Sequence, residues 1–415
     1  MKLLKIFGVL AVCMVITAGV YAGMVYTNIV RPPWTPPQEP NIPGLNDPMN
    51  DFALRLYKEL CSKTNGSVFF SPYSIYVALA MAFEGARSST AEEMSHVLGY
   101  QQGNSTMLST LYRLWQIYNN NTAFNLSTAN ALWLSKDFKI LDDYVEKITT
   151  YFAGHASEVD FSNPVAAAKE INDWVEQNTN GRIKDLVPPS AIDSLTRLIL
   201  TNAIYFKGTW KYPFDKNMTM NASFFVSSTQ IVQVPMMNLI GTDILFNYTE
   251  TETVQVLELM YAGDNVSMLI ILPKNNNLDS VEQNLTLAQL KDWKNALHQT
   301  KIDIILPKFK LETSYSLNDP LQKMGMVHAF SDADFSGITG SRDLFISAVL
   351  HKAFIEVNEE GTEAAAATAI IFAQTSINGE PPRLVFNADH PFLFVIQHND
   401  TGNILFMGKI VNPAE

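Results

Sequence analysis

A strand-like segment that runs into a block of alanines is the feature that most restricts how this chain can fold. From His351 the sequence reads HKAFIEVNEEGTEAAAATAIIFAQTSINGEPPRL. His351, Ala353, Ile355 and Val357 alternate with Lys352, Phe354, Glu356 and Asn358, which is the two-residue period of a strand. After Gly361, residues 364–369 are all Ala or Thr, and Ile370, Ile371 and Phe372 follow. Alanine is the best helix former, so one reading of the run is an exposed helix. The other is a segment of ambivalent conformation, small enough to enter a sheet and β-branched enough to stay there.

The rest of the chain can bury a large core, with 47% hydrophobic and 17% charged residues over 415. Acidic residues number 41 against 29 basic, for a net charge of −12 that repels polyanions and excludes a nucleic-acid partner on electrostatic grounds. Residues 88–128 hold Arg113 as their single Lys or Arg, which argues against heparin as well. Cys13 and Cys61 are the two cysteines, and Cys13 lies in an apolar N-terminal stretch. No disulfide framework is therefore expected, and Cys61 reads as a lone buried thiol.

Lys2 and Lys5 precede a stretch, residues 6–26, that carries no charge and is long enough to span a bilayer as a helix. Val20-Tyr-Ala also resembles a small-residue cleavage site. Residues 1–26 are thus a signal peptide or a signal anchor, and either one exports the protein, with membrane contact only through that segment if it is uncleaved. Residues 27–49 form a proline-rich spacer suited to extended PPII structure. Asn-x-Ser/Thr acceptors at Asn65, Asn104, Asn120, Asn125, Asn217, Asn221, Asn247, Asn265, Asn284 and Asn399 exceed chance pairing and support export and glycosylation.

In the body, residues 50–60 predict an amphipathic helix with Phe52, Leu56 and Leu60 on one face. Asn163-Pro164 caps a second helix, with Ala168, Ile171 and Val175 on its apolar face and Asn180-Gly181 at its end. Strands are predicted at residues 198–206, 254–261, 266–272 and 302–306, and a hairpin at 392–397 and 404–410 around Asn399-Asp-Thr-Gly. Helices early and strands late indicate an α+β class. Gly-x-Ser-x-Gly, His-Glu-x-x-His and Gly-x-Gly-x-x-Gly do not occur, and the seven histidines are scattered without metal-ligand spacing. The chain does not read as an enzyme, and no cofactor or metal is expected.

Five motifs accompany the alanine run in order: FSPYSI from Phe70, TNAIYFKGTW from Thr201, LPK from Leu306, ADHPF from Ala388 and FMGKIVNP from Phe406. Together with EEGTEAAAATA from Glu359, they resemble the serpin family, inhibitory type. The resemblance implies a serpin fold over residues 50–415, a single domain with three β-sheets, eight or nine helices and an exposed reactive-centre loop at about 359–383. It implies a suicide-substrate inhibitor that is monomeric and forms a covalent 1:1 complex with a target serine protease. The hinge would be Glu359, Glu360, Gly361, Thr362, Glu363, Ala364, Ala365, Ala366, Ala367, Thr368 and Ala369. The scissile bond would join Thr375 to Ser376, or lie one residue earlier. Insertion of such a loop into a sheet is both a strand addition and a conformational switch. On insertion, Thr362, Ala364, Ala366, Thr368, Ile370 and Phe372 would face the core.

The resemblance also assigns a shutter to Ser71, Ser74, Asn202 and His351, and a breach to Lys308, Trp210 and Glu359. Read from the residues alone, His351 sits on an apolar strand face, as a satisfied core histidine would. The other reading of the family is a non-inhibitory chaperone, carrier or storage protein. Such members often break the small-residue hinge, which is intact here.

Overall fold

The computed structural model describes residues 46–100, 105–119, 123–362 and 383–415. The segment 1–26, most of the spacer, hinge residues from Glu363 to Ala369 and the Thr375-Ser376 bond lie outside the described residues.

The helices are α1 (Asn46–Cys61), α2 (Pro72–Gly85), α3 (Ser88–Leu98), α4 (Ser105–Asn119), α5 (Asp142–Phe152), α6 (Pro164–Asn178), α7 (Leu278–Asn284), α8 (Leu287–Asn295), α9 (Asn318–Lys323) and α10 (Ser336–Thr339). The strands are β1 (Val68–Phe70), β2 (Phe124–Ser135), β3 (His155–Val159), β4 (Leu198–Thr209), β5 (Met220–Phe225), β6 (Ile231–Leu239), β7 (Leu245–Glu250), β8 (Val254–Met260) and β9 (Val266–Pro273). They continue as β10 (His298–Pro307), β11 (Phe309–Ser316), β12 (Ile346–Asn358), β13 (Gly361–Thr362), β14 (Leu384–Asn387), β15 (Phe392–His398) and β16 (Ile404–Ile410). The four-residue α10 takes the described helices past the eight or nine expected.

The main sheet has the order β11-β12-β13-β4-β2-β3. A second runs β1-β16-β15-β9-β8-β7-β10-β6-β5, with β14 on β10. The second and third of the three expected sheets are hydrogen-bonded into one because β10 serves both: residues 298–301 pair with β7 and 304–307 with β6. β2 and β3 also place strand structure in the first half, where sequence reasoning saw helices. β2 was hidden because its burial does not alternate in its second half, where both faces are covered.

Local signals explain several elements. The Asn163 side chain accepts from the Ala166 N–H at 3.2 Å, and Pro164 occupies the first turn of α6. α1 begins at Asn46 rather than at residue 50, because Pro48 is tolerated in a first turn, where no intrahelical bond needs its N–H. Cys61, at its end, is partly rather than fully buried. Burial beside Glu282 still pushes its thiol up to about 12, so it remains protonated.

β4 is buried on both faces, and its residues divide by parity. Leu198, Leu200, Ile204 and Phe206 enter the large core between the sheets. Ile199 and Ala203 enter a smaller core capped by Ala167, Ala168, Ile171 and Val175 of α6. α2 is buried at every position but Glu84, as a helix threaded through the core must be. Its N-terminus brings Ser71 and Ser74 beneath the main sheet.

Candidate functional site

β12 and β4 lie side by side, parallel, in register from Ala348 opposite Ile199 to Phe354 opposite Tyr205, after an irregularity between Ile346 and Ala348. Beyond that point they part. β13 fills the gap, antiparallel to both: Thr362 stands opposite Val357 and Gly208, and Gly361 opposite Asn358 and Thr209. The first two residues after the Glu359-Glu360 turn therefore already occupy the top of a slot that is closed lower down.

Gly361 makes this possible. Its φ is +148°, and a Cβ there would come within 2.1 Å of the Gly208 carbonyl oxygen. No side chain fits between the strands at that height. Thr362 is fully buried, its hydroxyl 2.6 Å from that of Tyr261, which belongs to the core below.

The turn above the slot is held from two sides. Lys308 Nζ lies 2.9 Å from Glu359 Oε2, and the Thr219 hydroxyl donates to Oε1 at 2.8 Å. Burial opposes the charge on Glu359, but these donors outweigh it and hold the carboxyl below its ordinary range. Glu360 meets Lys216 at 2.5 Å. The backbone N–H groups of Trp210 and Phe214 donate to the carbonyls of Glu360 and Glu359, each at 2.9 Å. Trp210 Nε1–H donates to the Asn358 carbonyl at 3.0 Å, and its ring stacks on Tyr261 with centroids 4.5 Å apart.

Below β13 a polar row crosses the closed seam. Tyr315, His351, Asn202 and Asn130 are register partners on β11, β12, β4 and β2. His351 Nδ1 is 2.5 Å from Asn202 Oδ1, and Nε2 accepts from the Ser71 N–H at 3.2 Å. Both contacts are satisfied by the neutral imidazole protonated on Nδ1. Burial drives the His351 pKa down to about 3, so it stays neutral. Asn202 donates to the Ser74 hydroxyl and to Asn130 Oδ1, and Ser74 Oγ donates to the same oxygen at 3.1 Å. Ser71 Oγ donates to the Leu405 carbonyl at 2.6 Å while accepting from the Ser74 N–H, so a helix cap is also a strut.

The structure thus gathers Ser71, Ser74, Asn202 and His351 in one network, and Lys308, Trp210 and Glu359 in another, with Glu360, Gly361 and Thr362 between them. Sequence reasoning missed Asn130, Lys216, Thr219 and Tyr261. None sits in one of the family motifs, and only strand register and the route of the 210–219 segment bring them here.

A family model described as serpin (serine protease inhibitor) matches residues 47–413. An uncharacterized serpin-like protein of Thermococcus kodakarensis is 44% identical over 370 residues, covering 88% of this chain and 85% of its own. Leukocyte elastase inhibitor A of Rattus norvegicus is 38% identical over 373 residues, covering 87% and 97%. Among solved structures, human thyroxine-binding globulin complexed with thyroxine superposes with a TM-score of 0.81 at 33% identity, over 90% of this chain and all of that one.

Proposed function

This chain belongs to the serpin family, and from that premise we propose that it is an exported, glycosylated suicide-substrate inhibitor of serine proteases. One observation carries the reading: β13 already lies antiparallel between β12 and β4, while below it the two strands are bonded directly to each other. Residues 364–369 are all Ala or Thr, and two-residue alternation would turn Glu363 away from the core, so the segment can extend β13 downward without burying charge on the core face.

The chemistry belongs to the attacking enzyme. Its serine oxygen bonds to the Thr375 carbonyl carbon, the bond to the Ser376 nitrogen breaks, and that nitrogen leaves with a proton from the enzyme's general acid. The loop, now free at one end, extends β13 and carries the esterified enzyme away before water attacks the ester. Insertion must beat deacylation, which at ordinary turnover leaves from about a second down to about a millisecond. Roughly a dozen new ladder bonds at ~1 kcal/mol net each supply on the order of 10 kcal/mol, comparable with a domain's whole stability. The intact form is then held kinetically, and the networks above and below β13 are what hold it.

Thr375 and Ala373 suit an elastase- or subtilisin-like pocket, in keeping with the elastase inhibitor among the relatives. The fold alone does not carry an inhibitory role, since thyroxine-binding globulin shares it. The unbroken small-residue hinge favours inhibition. Incubating the full chain with a panel of serine proteases should yield an SDS-stable 1:1 complex. Cleavage without complex across the panel would return the chain to the carrier or storage reading.

A further inference from the structure

Between Lys216 and Asp243 the sequence contains no charged residue, yet it forms an exposed hairpin, β5 and β6, at one end of the larger sheet. β5 is the edge strand. The outer face of the hairpin carries the cross-strand pairs Phe225–Ile231, Ser223–Gln233 and Asn221–Pro235, with Phe225 39% and Ile231 55% exposed.

The backbone of this edge is half covered. The Phe225 N–H donates outward to the Asp389 carbonyl at 2.7 Å, and its own carbonyl accepts from Asn276 Nδ2 at 3.1 Å. In an antiparallel pair, residues two apart share the direction of their backbone groups, so Ser223 and Asn221 point theirs outward too. An uncharged edge with open N–H and C=O groups templates pairing with another chain, and proteins normally blunt such edges with lysine, proline or a cover. β5 contains neither lysine nor proline.

It contains an acceptor sequon instead, Asn221-Ala-Ser223. Asn221 is exposed, and no side-chain hydrogen bond holds it among the described residues. Two other sequons are closed by the fold. Asn399 Nδ2 donates to the Asp264 carbonyl at 2.8 Å while its Oδ1 accepts from Ser267, and Asn247 Nδ2 donates to Glu258 at 2.7 Å.

We propose that Asn221 carries an N-linked glycan and that this sugar is the guard of the β5 edge, keeping the uncharged hairpin from pairing with a second copy of the chain. The inference rests on the export reading above. The step takes a polyprenyl-phosphate-linked oligosaccharide as donor. The Asn221 amide nitrogen bonds to the anomeric carbon, the bond from that carbon to the phosphate oxygen breaks, the lipid phosphate leaves, and the amide proton passes to a base of the transferase.

The test is to secrete the full chain from an N-glycosylating yeast, map its glycopeptides by mass spectrometry and follow its size by light scattering on mild heating. Expected are a sugar on Asn221 and none on Asn399, with several-fold more self-association for Asn221→Gln than for wild type or Asn284→Gln. The excess should persist after the reactive loop is cleaved, which separates edge pairing from loop insertion. Asn221→Lys, which lacks the sugar but charges the edge, should stay monomeric. A secreted chain unmodified at Asn221, or an Asn221→Gln variant as monomeric as wild type, overturns the inference alone. A chain that is never exported overturns the export reading and the inference with it.

Discussion

His351 and Asn202 face each other across the seam between β12 and β4, Nδ1 to Oδ1 at 2.5 Å, and every strand inserted between them must break that bond. The seam is therefore closed by a buried polar contact. Such a contact is strong while dry and costly to leave half made, which suits a barrier that must hold until one event and then give way.

The same histidine makes the closed form sensitive to acid. An unfolded imidazole titrates near 6.5 and this one near 3. Between those values the unfolded state binds the extra proton, so stability falls as pH falls, by up to about 1.4 kcal/mol per pH unit. The thermal midpoint of the intact protein should drop below pH 6. His351→Asn should flatten that drop relative to wild type, since His155 and His398, also pushed down by burial, are common to both. Equal slopes in the two proteins would remove His351 from the account.

Glu359→Lys replaces a buried carboxylate with a like charge beside Lys308, with Lys216 close by on Glu360. The turn above β13 should loosen and let the loop of another molecule enter the slot. Ladders of loop-sheet polymers on native gels after mild heating are the expected result. Glu359→Gln, which keeps the shape, should polymerise less. Two variants as monomeric as wild type would mean that the ion pair does not gate the slot.

Thr362→Arg should convert inhibitor into substrate. Thr362, in β13, is fully buried against Tyr261, and a guanidinium there must be desolvated or expelled. An added barrier of ~1.4 kcal/mol slows insertion tenfold, and deacylation then wins. The readout is the stoichiometry of inhibition, which should rise while the loop is still cut. Thr362→Val, similar in volume, loses the hydroxyl contact alone and should stay close to wild type.

A nick near Thr375 should stabilise the protein. Extending β13 would add ladder bonds of roughly 10 kcal/mol in sum, which for a chain of this size corresponds to a rise on the order of 10 °C in the midpoint. A cut in an ordinary exposed helix loosens structure instead. Calorimetry before and after limited proteolysis decides the matter, and a cleaved form no more stable than the intact one would rule out insertion.

Thr375→Arg should redirect reactivity towards trypsin-like enzymes, whose pocket takes a basic residue. Complex formation with trypsin, absent from wild type, is the result to look for. No gain would move the scissile bond away from Thr375.

Some of this was legible in the chain because its cause is local. A cap and a first-turn proline start α6 wherever they occur, alternation writes β12, and Asn399-Asp-Thr-Gly turns the last hairpin. The hinge could be read as a loop able to become a strand, because small and β-branched side chains carry that ambivalence themselves. Asn130 could not be found in this way. It is one asparagine in a strand with no motif, and it matters because β2 and β4 pair in the register that sets it opposite Asn202. Thr219, Lys216 and Tyr261 matter for the same kind of reason, since each reaches the Glu359 turn or β13 from another part of the chain. The sequence by itself determined the propensities of its segments and the family they build. The tertiary structure alone decided that β12 and β4 close on each other below Thr362, because hydrogen bonding between strands distant in sequence depends on register, and register is set by the packing of the whole core.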